Sequence, residues 1–361
     1  MGEKEALNAP TLDEVNTTGT LSDWRQRLRT VVVKRGIKLV CGTPDFVPTS
    51  AASDVSIISG GLRLGWLRAL GLIGVSQFAA TSGLGHRFVC HIGDLSEYPF
   101  YHPRAYEKEL ALCASWLKQT DAPVVYDLGA NVGFISTHLA QMLAGEVAQI
   151  YAFEPVPATF AKLQTSVSRL GLQDVVRPVP FALGDNPRTV RMALSRRNSL
   201  VSHVIPDRSV GDADAAEIVS ARVTTLDQFS SETGTQPALI KMDIEGSEAA
   251  ALRGARHLLS RDDRPAILFE HNPVTLSEQG ATTRALAELL SGYEFYYVDD
   301  LQNQTLPFGS RVADIGRINW ICNMFAVARG DAAHAKWRAA LALAQGQLGL
   351  AAAAGSSQSR G

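Results

Sequence analysis

Residues 124–133 read Val-Val-Tyr-Asp-Leu-Gly-Ala-Asn-Val-Gly, an apolar run that ends on Asp127 and passes at once into a glycine-bearing turn. An apolar helical pattern follows near 134–143. Strand, tight turn and helix in this order are the opening of a parallel α/β unit, in which ligands bind at the carboxyl ends of the strands. Working outward, further β-rich runs alternate with helical ones. Ile150 to Phe153, Val175 to Phe181, Ala238 to Met242 and Ala266 to Phe269 read as strands, with helices expected near 157–170 and 247–259. Such alternation implies right-handed crossovers and a doubly wound, Rossmann-like, mainly parallel sheet. Two later apolar runs, Glu294 to Val298 and Trp320 to Ala328, have a hairpin-like spacing and are expected as an antiparallel edge.

The rest of the chain divides around this core. Residues 1–22 are polar and read as a flexible leader, and 23–120 as an N-terminal accessory region with short strands and an amphipathic helix over Ala105 to Leu117. The α/β domain spans 121–330, and 331–361 reads as a marginal Ala-rich helix with a disordered end. The stretch 186–216 interrupts the alternation with a polar middle, as a lid or substrate-facing insertion would. Strand candidates Arg188 to Leu194 and Glu217 to Thr224 flank it.

Composition excludes several classes. Among 361 residues, 34 Lys and Arg nearly balance 36 Asp and Glu, which argues against a phosphate-tracking nucleic-acid surface. The four cysteines, Cys41, Cys90, Cys113 and Cys322, form no CxxC pair, so neither a zinc module nor a disulfide scaffold is expected, and a reducing compartment suits them. The first residues are acidic and polar, unlike a secretory leader, which makes the cytoplasm the expected location. The longest apolar stretch, Ile57 to Ala80, carries Arg63, Arg68 and several glycines, so it reads as a packed segment rather than a transmembrane helix. A homo-oligomer is compatible with all of this.

The glycine turn gains meaning from Glu154, 21 positions after Gly133 at the end of the next strand, where a carboxylate holds a ribose diol. Such hydrogen bonds contribute about 1.5–3 kcal/mol. A dinucleotide fingerprint would need glycines where Asn131 and Phe134 stand, and no Walker lysine is present. Asp127 at the head of the loop suits an ammonium group. An adenosine cofactor with an amino-acid tail and no phosphate fits best, which is S-adenosyl-L-methionine. The cofactor set on this reading is Asp127, Gly129, Asn131, Gly133, Glu154, Ala182 and Asp243.

DLGANVGFIS (127–136), IYAFEPVPATF (150–160), VTTLDQF (223–229) and LIKMDIEGSEAAALRGA (239–255) together resemble the FkbM family of S-adenosylmethionine-dependent methyltransferases. The resemblance covers about Arg104 to Ala328, and the Lys-x-Asp-x-Glu-Gly segment at 241–246 is its most specific mark. It implies a class I methyltransferase sheet and O-methylation of a small-molecule acceptor, a sugar or natural-product hydroxyl of the kind found in secondary metabolism. The alternatives are N-methylation of an amide or amine and an inactive scaffold that keeps the fold.

Methyl transfer from a sulfonium needs alignment of acceptor, methyl and sulfur, worth up to about 7–11 kcal/mol, and a base for the hydroxyl proton. Asp243, Glu270, His271 and His203 are the candidates, His271 because imidazole titrates near neutrality. Asp243, Glu270 and His271 are also expected as ligands of a magnesium ion that would acidify the hydroxyl. The cluster Tyr98, Tyr101, His102 and Tyr106 is expected mainly to pack the accessory layer onto the core.

Overall fold

The computed structural model describes residues 65, 68–69, 71–72, 74–92, 98–102, 104–195, 202–204, 215–300 and 306–350. The chain divides into two units, Met1–Phe78 and Ala79–Gly361, and the first is described only at a few positions from 65 onward. The leader, the strands expected before residue 41, Cys41 and most of the apolar stretch 57–80 therefore lie outside the described residues. No described helix is long and apolar enough to cross a membrane.

Fourteen strands follow one another among the described residues: β1 (Gln77–Thr81), β2 (Arg87–His91), β3 (Val124–Leu128), β4 (Gln149–Phe153), β5 (Val176–Val179), β6 (Phe181–Leu183), β7 (Arg188–Ser195), β8 (Ser202–Val204), β9 (Ala215–Thr224), β10 (Pro237–Met242), β11 (Ala266–His271), β12 (Tyr293–Asp299), β13 (Arg311–Val312) and β14 (Cys322–Ala328). Eight form the main sheet in the order β13-β12-β14-β11-β10-β3-β4-β5, and β1 pairs with β2. From β5 to β11 the pairing is parallel, and β14 then runs antiparallel between β11 and β12. The fold is the doubly wound, mainly parallel α/β sheet with an antiparallel edge that the alternation implied.

One expected strand is divided. Val175 to Phe181 breaks at Pro180, whose missing N–H cannot serve a ladder. β5 stays in the main sheet, whereas β6 joins a second sheet of order β6-β9-β7-β8. The flanks of the interrupting stretch supply β7 and β9, which pair antiparallel from Arg188↔Val223 to Ser195↔Ala215. Residues 196–201 and 205–214, including Arg196 and Arg197, lie outside the described residues.

Strand alternation sorts side chains onto two faces. Val125, Ile150, Ala152, Leu239, Ala266 and Leu268 enter one core, with the helices Glu107–Leu117 and Phe134–Met142. Tyr126, Leu128, Phe153, Ile240, Met242, Ile267 and Phe269 enter the other, with the helix Glu248–Arg253.

The Ala-rich segment is more than a marginal tail. Helix Asp331–Gln347 inserts Trp337, Ala340 and Ala344 into the first core. Trp337 stacks on Tyr296 with centroids 4.0 Å apart and on Phe325 at 5.5 Å. Small alanines let the helix approach closely while one large ring fills the gap, a pattern that composition alone reads as weak. Residues 351–361 lie outside the described residues. Trp337→Ala is expected to cost about 3–5 kcal/mol, measured by urea unfolding; an unchanged midpoint would place this helix outside the cooperative core.

Candidate active site

Asp127 and Lys241 lie directly opposite each other on the parallel pair β3–β10. Their side chains share the first-core face, and alternation adds Asp243 on the loop after β10 and Glu270 near the end of β11. Glu154 follows β4, anchored by its N–H to Val179 O. Carboxylates from four neighbouring strand ends therefore line one end of the sheet.

The glycine loop is held by this chain's own backbone. The N–H groups of Gly129 and Ala130 both donate to Phe153 O, at 3.1 and 2.9 Å. Gly129 has φ +75°, and a Cβ there would fall 1.9 Å from Asp243 O. At Gly133, with φ +88°, a Cβ would meet Leu163 Cδ1 at 2.6 Å. Close approach is thus required by internal packing at both positions. Asn131 adopts φ +52°, accepts the Val132 N–H on Oδ1 at 2.7 Å and donates its own N–H to Glu154 Oε2 at 3.1 Å.

Glu154 also accepts the Val156 N–H on Oε1 at 2.9 Å. Burial pushes its pKa up to about 7 against the pull of these amides. A carboxylate has about four acceptor positions, so two bonded amides leave room for a diol. Asp127 departs from expectation. It is fully buried, its Oδ2 accepts from Ser136 Oγ at 2.6 Å, and its Oδ1 lies 3.5 Å from Lys241 Nζ. It meets the chain's own ammonium, while Asp243, with a side chain 42% exposed, is the open carboxylate of this pair. Ala182 is packed into a small apolar cluster with Val156, Val190 and Val223.

His271 is a correction. Consecutive strand residues point to opposite faces, so Glu270 and His271 do not share a site. His271 is fully buried on the second-core side, its Nε2 lies 3.1 Å from Ile318 O, and its Nδ1 has no hydrogen-bond partner. Burial lowers its pKa. It is neither a base for this site nor a partner of Asp243 and Glu270 in a metal set. Among the described residues no group of three or more His, Cys, Asp or Glu is arranged to hold a metal ion. The backbone of His203 lies on β8 opposite Ala193, away from the main sheet's strands. Asn272 caps the helix Pro273–Glu278 by accepting the N–H groups of Val274 and Thr275.

Sequence reasoning missed three participants, Lys241, Glu109 and Asn323, and expected Tyr106 mainly in packing. Lys241 donates to Gly129 O at 3.2 Å and lies 3.7 Å from Asp243 Oδ2; counting back two residues from Asp243 would have placed it on this face. Glu109, buried on the helix Glu107–Leu117, accepts from Asn323 Nδ2 at 2.8 Å, and Asn323 stands opposite Glu270 on the β11–β14 ladder. Tyr106, at φ +61°, precedes that helix with its ring 5.5 Å from Phe134. Its hydroxyl pKa is raised by burial and then by Asp243, Glu109, Tyr98 and Glu270, so it belongs to this acidic end of the sheet as well as to the packing.

Comparison with known proteins identifies the core. The model of the methyltransferase FkbM domain matches residues 127–297. Among solved structures, the chain is similar to a methyltransferase FkbM from Methylobacillus flagellatus KT, at 18% identity and a TM-score of 0.38, over 57% of this chain and 43% of that one. It thus spans less than half the length of that protein. An O-methyltransferase from Bacillus cereus in complex with SAH aligns at 12% identity and a TM-score of 0.38, over 84% of this chain and 97% of that one. A precorrin-6y C5,15-methyltransferase from Geobacter metallireducens GS-15 aligns at 14% identity and 0.34, over 62% and 86%. No curated protein matches.

The carboxylates have a consequence for stability. Burial and then Asp243, Glu245 and Glu248 push Glu270 up to about 8, and Glu245 and Glu248 reach about 7. Folded-state values above unfolded ones mean that the native state holds more protons between about pH 4.5 and 8. Their stabilising contribution is complete at lower pH and is lost as pH rises through the folded values. Thermal midpoints are expected to fall between pH 5.5 and 8.5, with a shallower fall in Glu270→Gln; equal slopes would contradict this.

Proposed function

We propose that the methyltransferase FkbM domain this chain carries at residues 127–297 transfers a methyl group from S-adenosylmethionine to a hydroxyl of a sugar-bearing or secondary-metabolite acceptor. The observation that carries the reading is the convergence of Glu154, Asp243 and Glu270 beside the loop at 129–133. On this reading the two free acceptor positions of Glu154 take the ribose hydroxyls, and Asp243 takes the ammonium of the amino-acid tail. S-adenosylmethionine supplies a methyl group on a sulfonium, a leaving group that needs no further activation.

The protein's task is then orientation and proton removal. Glu270 takes the acceptor's hydroxyl proton. Its burial among carboxylates strengthens it as a base, since a general base works best with a pKa near the working pH. Asn323, across the ladder from Glu270, is held by Glu109 and fixes that wall of the site. Tyr106 and Phe134 flank the acceptor's approach. The donor set does not fit a magnesium ion, because His271 faces the opposite core, and no step is routed through a metal.

Methyl-labelled S-adenosylmethionine offered with a panel of sugar and polyketide hydroxyls and of amines is the direct test. Label on hydroxyl acceptors is expected; label on amines alone would remove the O-methylation assignment. The rate is expected to rise with pH through about 8 as Glu270 loses its proton, and Glu270→Gln to abolish that rise. Glu154→Ala is expected to weaken S-adenosylhomocysteine binding by roughly 10- to 100-fold, the scale of its hydrogen bonds to a diol. Calorimetry reads this directly, and unchanged affinity would take Glu154 out of the site.

A further inference from the structure

Lys241 sits in an oxygen cradle that its own ammonium fills incompletely. Nζ has three N–H donors. Gly129 O, at 3.2 Å, is its nearest partner among the described residues, and the carboxylates of Asp127 and Asp243 stand at 3.5 and 3.7 Å. The first of these contacts is long for a hydrogen bond, and among the described residues buried Asp127 Oδ1 has no closer donor. A buried carboxylate oxygen held only by a long ion pair is costly, and the cost falls if a second donor enters. One carbonyl and two carboxylates around a common point are complementary to a primary ammonium. The amino-acid tail of the proposed donor ends in one.

Charge sharpens the argument. Asp127 and Asp243 carry two negative charges here and Lys241 returns one positive, so an incoming ammonium meets a net single charge instead of two. Coulomb repulsion between two ammonium groups a few ångströms apart opposes binding, by an amount that grows as water is excluded. Rotation about its four-carbon stem carries Nζ from Gly129 O toward Asp243 Oδ2, already 3.7 Å away on the same face. Gly129 cannot yield, because its backbone lies against Asp243 O.

We propose that Lys241 is a specificity-determining residue that competes with the donor's ammonium for the Gly129 carbonyl and the Asp127 and Asp243 carboxylates. The proposal rests on the donor reading above and adds to it a built-in limit on affinity for the amino-acid tail. Lys241 holds the cradle in the free protein and yields Gly129 O when the tail enters, so product release is eased by the same residue.

The test compares S-adenosylhomocysteine, which carries the tail, with 5′-methylthioadenosine, which lacks it, by calorimetry on the full chain. In Lys241→Met the ratio of the two affinities is expected to shift about tenfold in favour of S-adenosylhomocysteine, the effect of removing one nearby like charge. A lysine that only supports the fold changes both affinities alike and leaves the ratio where it was. An unchanged ratio, or one that falls because Lys241 grips the tail's carboxylate, overturns the proposal. Lys241→Met leaves Asp127 buried without a counter-charge, which threatens folding. Lys241→Gln removes the charge but keeps an amide that can donate to Asp127, and its ratio is likewise expected to rise about tenfold; an unchanged or lower ratio there overturns the proposal equally. Wild-type protein that binds neither ligand removes the donor reading itself, a separate result from a flat ratio.

Discussion

The candidate site depends on the close approach of two strand-end loops. Gly129 leaves β3 in a left-handed conformation with its α-carbon against Asp243 O, where even a methyl group has no room. Asp243 N in turn donates to Leu128 O at 3.1 Å, continuing the parallel ladder one residue past the strand. Because the loops are locked together, the position of the open Asp243 carboxylate is set by the same contact that shapes the glycine turn. Glu154 is tied in through the Asn131 amide. Gly129, Asp243 and Glu154 are thus tied into one corner of the sheet, as a pre-organised site would require.

That corner gathers negative charge that a stable core would avoid. Glu245, Glu248 and Glu270 are each raised toward or above neutrality by burial and by one another. Glu109 reaches about 7 for the same reasons, burial first and Asp299 second. Groups pushed this far in one place are a mark of functional sites. Glu248 also has a plain structural task, since its Oε1 accepts the Ile244 N–H at 3.1 Å and closes the turn after β10. Asp243, beside them, keeps a side chain 42% exposed, and Glu270 takes a side-chain hydrogen bond from Asn272.

What could be read from the sequence follows from what is local. The strand, turn and helix around 124–143 lie within one segment, and the alternation of β-rich and helical runs extends that reading to the whole sheet. The acidic ends of β4, β10 and β11 were legible for the same reason. Facing direction was not used where it mattered. Glu270 and His271 are neighbours in sequence, yet the two-residue period of a strand sends them to opposite cores. The same period, applied to Asp243, brings Lys241 into the site. Asp127 looked like a ligand-facing carboxylate because its partner Lys241 is 114 positions away and meets it only through the β3–β10 register. The helix Asp331–Gln347 was undervalued because its hold comes from one tryptophan against distant rings, which no local propensity records.

The accessory helix Glu107–Leu117 connects this chemistry to the rest of the chain. It is not part of the matched domain, yet its first turn covers the acidic end of the sheet. Lys108 Nζ pairs with Asp299 Oδ1 at 2.7 Å and Glu109 holds Asn323, so β12 and β14 are fixed relative to Glu270 by two charged contacts. The hairpin β1–β2 packs behind it through Phe88 on Phe134, with centroids 5.2 Å apart, and Ser82 Oγ lies 2.9 Å from the buried His138 ring. Burial holds His138 down at about 4, so this support is neutral and does not add charge behind the glycine loop. On the proposed function, the donor side of the site is built by the matched domain and the acceptor side takes residues from outside it, Tyr106 and Glu109 before it and Asn323 after it.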